Sequence, residues 1–101
     1  MFVFPKEESH TVEFKSQWSP NIKKTIVAFA NTTGGDIYVG IDDNGEIVGC
    51  EAPGKIQERV ISMARDNISP SVLPLLQFVT HRTGGQSVLQ IHVDRGTQRP
   101  Y

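Results

Sequence analysis

The stretch Leu75 to Asp94 constrains the fold of this chain most. It reads "LLQFVTHRTGGQSVLQIHVD", two arms of alternating character on either side of Gly84-Gly85. Side chains of a strand point to opposite faces in turn, and a two-residue glycine turn fixes which residues meet across the hairpin. With those glycines as the turn, Thr80 pairs with Leu89, Phe78 with Ile91 and Leu76 with Val93. One face is then apolar, and a sheet is the frame on which the rest must pack.

The remaining segments supply the helices and inner strands. In "ESHTVEFK", residues 8–15, Val12 and Phe14 point one way while Thr11, Glu13 and Lys15 point the other. Ser19-Pro20 marks a helix start, with Ser19 as hydrogen-bond acceptor and Pro20 preset for the first helical position. That helix runs to about Ala30, with Ile22, Ile26, Phe29 and Ala30 in one stripe and Lys23 and Lys24 beside it. "DIYVGID" alternates Ile37, Val39 and Ile41 against Asp36, Tyr38, Gly40 and Asp42, a strand with one buried face. Asp43-Asn44-Gly45 reads as a hairpin turn and "EIVG" as its short return strand. Pro53 to about Asn67 forms a second helix, with Ile56, Val60, Met63 and Ala64 inward and Lys55, Glu58, Arg59, Arg65 and Asp66 wet. The order β-α-β-β-α-β-β predicts an α+β fold, a mixed sheet with helices packed on one face.

The chain has 101 residues, which suits a single domain (1–101) with one modest core. Its formal net charge of −1 lacks the basic excess of a protein that coats nucleic acid by charge alone. Residues 1–51 carry four Lys+Arg against eight Asp+Glu, net −4, and residues 52–101 carry six against three, net +3. Any nucleic-acid contact must therefore be local. Cys50 is the single cysteine, so there is no internal disulfide and no cysteine-based zinc site. No run approaches the roughly 18 apolar residues of a membrane span, and "MFVFPKEE" is too short for a signal peptide, so a cytoplasmic location is expected.

Gly34-Gly35 follows a helix and lacks the Gly-Lys-Ser/Thr or Gly-x-Gly-x-x-Gly setting of a phosphate loop, so it reads as a helix cap leading into a strand. His92 falls opposite Gln77, roughly 13 Å along the sheet from His81, too far for one ion to join them. The acids Glu8, Glu13, Asp42 and Asp43 can gather if the first two strands are neighbours. Like charges so gathered repel, and a divalent Mg²⁺ or Mn²⁺ held by oxygen ligands is the chemical neutraliser. Such an ion can activate water against a phosphodiester, with Lys15 stabilising charge on the phosphate. Glu8 and Glu13 are five residues apart and can share one ion only if Ser9-His10 turns the chain back. The alternative keeps Asp42, Asp43 and Asn44 as turn formers.

"ESHTVEFK", "IVAFANTTGGDIYVGIDDNGEIVG" and the terminal "VDRGTQRPY" together resemble the Schlafen/Alba-like domain, found in vertebrate Schlafen proteins and in bacterial transcriptional-regulator-like proteins. The resemblance spans nearly the whole chain. In Schlafens that cut structured RNA, it assigns the metal-binding acids to the positions of Glu8, Glu13 and Asp43. For the bacterial relatives it implies nucleic-acid binding, with phosphate contacts expected from Lys15, Lys23, Lys24, Arg95 and Arg99. It also implies a longer protein continuing past Pro100-Tyr101, with ATPase-like and winged-helix regions, and suggests a homodimer, since Schlafen cores join two such lobes. Three readings follow: a nucleic-acid-binding module of a bacterial regulator, a metal-dependent endoribonuclease, or a dimerisation and assembly module of an ATP-binding regulator.

Overall fold

A computed structural model describes residues 2–101. The elements are β1 (Val12–Lys15), α1 (Ile22–Asn31), β2 (Gly35–Val39), α2 (Pro53–Asn67), a 3-10 turn (Leu73–Leu75), β3 (Leu76–Thr83) and β4 (Gln86–Val93). They build one four-stranded sheet in the order β1-β2-β4-β3. β1 lies parallel to β2, and β4 runs antiparallel to both β2 and β3. The fold is mixed α+β, as the order of segments predicts.

The closing hairpin has the expected register: Leu76 opposite Val93, Phe78 opposite Ile91, Thr80 opposite Leu89. Gly84 (φ +55°) and Gly85 (φ +78°) both take the left-handed conformation that a two-residue hairpin loop needs to follow the twist of its strands. Ile22, Ile26, Phe29 and Ala30 of α1 and Ile56, Val60 and Ala64 of α2 pack on Ile37 and Val39 of β2 and Leu89, Ile91 and Val93 of β4. Both helices thus cover one face of the sheet. Complete burial of a side chain such as Ile26 is worth about 1.5–3 kcal/mol, so this layer carries most of the stability.

α1 begins at Ile22, two residues later than Ser19-Pro20 suggests. Those residues form a turn before it: Ser19 Oγ accepts the Asn21 N–H at 3.2 Å, and the Ile22 N–H donates to the Ser19 carbonyl at 3.1 Å. Gly34-Gly35 does cap the helix, with the Gly34 N–H donating to the Phe29 carbonyl at 2.8 Å.

The segment after β2 departs from the expected hairpin. β2 ends at Val39, and Gly40 at φ +112° breaks the alternation. Ile41 consequently joins Tyr38, Phe14 and Val88 in a second, smaller core on the helix-free face, with Phe4, Val12 and Ile47 packed against it. Tyr38, read from alternation as facing water, is only 4% exposed. The return arm "EIVG" makes a single bridge, Ile41 to Ile47, and no strand. Its Val48 and Gly49 N–H groups both bond the Gly40 carbonyl, at 2.8 and 2.9 Å, so the arm curls instead of running on. Among the described residues no helix is long and apolar enough to cross a membrane.

Candidate functional site

β1 is an edge strand, and its outward backbone groups need partners. The chain before it supplies one. Ser9 and Val12 exchange backbone hydrogen bonds, Ser9 N–H to Val12 O at 3.0 Å and Val12 N–H to Ser9 O at 3.3 Å, so His10-Thr11 is a tight reversal. Residue 8 is thereby folded back along β1, and the Phe14 N–H donates to Glu8 Oε2 at 3.0 Å. The geometric condition for Glu8 and Glu13 to meet is fulfilled by that turn.

Glu13 sits at the centre of the resulting charge cluster. Its carboxyl is raised above the usual carboxylate range, first by burial, then by the adjacent Glu8 carboxyl, which is hydrogen-bonded to it when a proton is shared, and further by the Asp43 charge. Lys15 pulls the other way, with its Nζ 3.8 Å from Glu13 Oε2. Glu8, Glu13, Asp43 and Lys15 are therefore within electrostatic reach of one another. Asp42 takes the other part foreseen for it: its Oδ1 accepts the Asn44 and Glu46 N–H groups, each at 3.0 Å, and builds the turn. Oxygen donors of this kind suit Mg²⁺ or Mn²⁺. Even so, among the described residues no three acids, histidines or cysteines close to ligand spacing. Glu8 and Glu13 stand side by side, and Asp43 lies within electrostatic reach on an exposed turn.

The five basic residues separate into two groups. Lys15 ends β1 beside Val39, and Lys23 and Lys24 open α1, so these three belong to the end of the domain where the parallel strands finish. Arg95 and Arg99 belong to the opposite end. Val93 pairs with Gly35 at the start of β2, the Gly96 N–H donates to Ala30 O at 2.9 Å, and the Tyr101 N–H donates to Asn31 Oδ1 at 2.9 Å. α1 lies between the groups, and its ten residues span about 15 Å. α2 also begins at the lysine end, which brings in Lys55 and Arg59, residues that periodicity alone leaves on a wet face. They line a cavity of about 740 Å³ together with Ser16, Gln17, Trp18 and Cys50.

The helix-free face carries a separate polar chain. His92 faces Asp36 across the β2–β4 pair, with Nδ1 2.8 Å from Asp36 Oδ1 and Nε2 2.9 Å from Asp94 Oδ1. The Gln90 amide donates to Asp36 Oδ1 at 2.9 Å, and its oxygen accepts from His81 Nε2 at 2.7 Å. Burial lowers the His92 pKa, but the hydrogen bonds and charges of Asp36 and Asp94 outweigh it and leave the group raised. Burial, then Asp36, pushes the Tyr38 hydroxyl up to about 12. Histidines 81 and 92 are thus structural partners of the sheet.

Comparison with known proteins places this geometry in a wider setting. The fold is similar to the N-terminal domain of an ATP-dependent DNA helicase RecG-related protein from Nitrosomonas europaea, with a TM-score of 0.71 and 24% identity over 87% of this chain and 65% of that one. It is also similar to the DIP2311 protein from Corynebacterium diphtheriae, with a TM-score of 0.60 and 24% identity over 86% of this chain and 20% of that one. The chain thus spans less than two thirds of the length of either. Residues 8–101 match the family described as Schlafen, AlbA_2, a span that includes Glu8, the reversal at His10-Thr11, the whole sheet and Tyr101. The chain belongs to the Schlafen, AlbA_2 family.

Proposed function

We propose that this domain binds nucleic acid through the end of the sheet at which β1 and β2 finish. The observation that carries the reading is the pair Lys23 and Lys24 at the start of α1 beside Lys15, with Lys55 and Arg59 added by the start of α2. Lys15 is paired with Glu13, and the acids Asp42, Asp43, Glu46 and Glu51 follow β2 at the same end, so the cations on the two helix starts must carry the contact. A chain of net charge −1 has no general attraction for a polyanion, so a local group of cations is what such binding requires. Family membership and likeness to a domain of a RecG-related protein support the reading. Arg95 and Arg99, at the other end of α1, serve as a separate contact for a longer polymer. In a full-length protein this module would act beside ATPase-like and winged-helix regions of a regulator.

The direct test is fluorescence anisotropy of labelled single-stranded and duplex DNA and RNA at low salt, for the native chain and for Lys23→Ala/Lys24→Ala. Saturable binding weakened by the double substitution is the expected result. Absence of binding to all four polymers ends the reading.

The convergence on Glu13 favours a second reading, metal-dependent phosphodiester cleavage. Glu8 and Glu13 would hold Mg²⁺ or Mn²⁺, with Asp43 as the third candidate ligand. The ion, when bound, supplies an activated water and neutralises phosphate charge. Lys15 holds a positive charge beside Glu13, and Phe14 N–H fixes the Glu8 carboxylate. Incubating structured RNA with Mn²⁺ tests it: cleavage abolished by Glu13→Ala supports the reading, and equal cleavage by the variant excludes it.

A further inference from the structure

We infer that the cavity between the β1–α1 loop and the start of α2 holds one nucleotide unit of a single-stranded nucleic acid, with its base against the Trp18–Arg59 cation–π pair and its phosphate at Lys55. The inference rests on the nucleic-acid reading above and gives it a place. The cavity, about 740 Å³, is within the range of small-ligand sites and has an aromatic residue and two cations in its wall.

Three features select the ligand. Trp18 packs against the core with one side, and the Arg59 guanidinium covers its ring with Cζ 5.3 Å from the ring centroid. A guanidinium held over the indole in this way is a cation–π pair, and its planar group offers a base a surface to lie on beside the ring. Lys55 and Arg59 are four residues apart on α2 and share its face. Among the described residues neither takes part in an ion pair, so both positive charges are available to an anion. Glu51 on the same wall argues against a simple anion trap and provides an acceptor for an amino or hydroxyl group. An apolar wall, a planar cation, a free ammonium and one acceptor together match a nucleotide better than a sugar, a lipid or a bare phosphate.

Continuity with the lysine group argues for a polymer as the source. Ser16 and Gln17 line the cavity and directly follow Lys15, so a strand whose phosphate meets Lys15 passes the cavity mouth within a nucleotide or two.

Trp18 is the one tryptophan of the chain, so its emission reports on this cavity alone. The experiment titrates the native chain, Lys55→Ala and Arg59→Lys with a fluorescein-labelled single-stranded oligonucleotide, as DNA and as RNA. Label anisotropy gives polymer binding, and Trp18 quenching by the unlabelled oligonucleotide gives cavity occupancy. Adenosine monophosphate and inorganic phosphate are titrated in parallel. The expected result is saturable quenching by the oligonucleotide, weakened about tenfold in each variant, at concentrations where the mononucleotide does little. Arg59→Lys keeps the charge and removes the plane, so its loss reports stacking, and Lys55→Ala changes an exposed position that folding tolerates. Quenching by the mononucleotide as strong as by the oligonucleotide overturns the polymer as source in favour of free nucleotide. Anisotropy binding with Trp18 undisturbed and both variants unaffected overturns the site while leaving the nucleic-acid reading intact. No anisotropy change overturns both.

Discussion

Glu8 and Phe14 are joined across the outer edge of the sheet, the Glu8 carboxylate accepting the Phe14 backbone N–H at 3.0 Å. The bond does two things at once. It satisfies a donor that an edge strand leaves open, and it anchors a carboxylate beside Glu13.

Glu8→Ala should therefore lower stability by about 1–2 kcal/mol: the loss of a hydrogen bond to a charged acceptor, about 1.5–3 kcal/mol, is partly offset by relief of the repulsion between Glu8 and Glu13. Glu8→Gln retains an acceptor oxygen and should lose less than half as much. Thermal melts of both variants check this; equal losses would mean that the bond is not what residue 8 contributes.

Glu13 has a raised carboxyl in the folded chain, so its ionisation works against folding. Its contribution is fully present below the ordinary carboxylate range, near pH 4, and is lost as pH rises through the raised folded value. Glu13→Gln removes that loss. It should melt about 2–4 °C above the native chain at pH 7, for roughly 0.5 kcal/mol after screening and the lost Lys15 pairing, and show little difference near pH 4. A lower melting point for the variant at pH 7 would show that the Lys15 contact outweighs the repulsion.

His92 works with the same sign by a different route. Asp36 and Asp94 face its two ring nitrogens, Gln90 shares Asp36 with it, and Gln77 lies opposite on β3. Only the imidazolium donates from both nitrogens. With its pKa raised in the folded state, the stabilisation is complete below about pH 6.5 and disappears as pH rises through the folded value. The melting temperature of the native chain should fall from about pH 6 to pH 8, and that of His92→Gln should stay flatter. Parallel profiles would show that the clamp does not form.

Gly34 and Gly54 make a paired test of the backbone. Gly34 has φ +77°, and a Cβ there would lie 2.7 Å from the Val93 carbonyl oxygen, whereas a Cβ on Gly54 would meet nothing. Gly34→Ala should cost about 2–3 kcal/mol and Gly54→Ala should be neutral or stabilising by about 0.5 kcal/mol. Urea midpoints check the contrast, and similar effects at both glycines would refute it.

Strong periodicity made most of the sheet and both helices legible. The Leu76–Val93 register needs only the Gly-Gly turn and alternation, and α2 keeps its expected limits of Pro53 and Asn67. The misses have local causes. Alternation alone does not register the φ of Gly40, which sends Ile41 to the face of Tyr38. Nor does it show that Phe2 and Phe4 return to cover that face, their rings 6.3 and 5.9 Å from Tyr38. Of the candidate site, the reversal at Ser9-His10 is a condition that spacing alone leaves open, because the turn is made by backbone hydrogen bonds between Ser9 and Val12. The division of the basic residues depends on which end of the sheet each loop joins. Lys55 and Arg59 look like wet helix positions until the β1–α1 loop is placed against them.

The salt dependence of single-strand binding bears most directly on the central claim, that cations gathered at one end of the sheet hold a phosphate backbone. Each phosphate contact releases counterions, giving a slope of about −0.7 in log K against log salt for a single strand. Lys15, Lys23 and Lys24 should give about −2 or steeper, and Lys23→Ala/Lys24→Ala should flatten it by about 1.4. A slope near zero, or one that the double substitution leaves unchanged, would contradict the assignment.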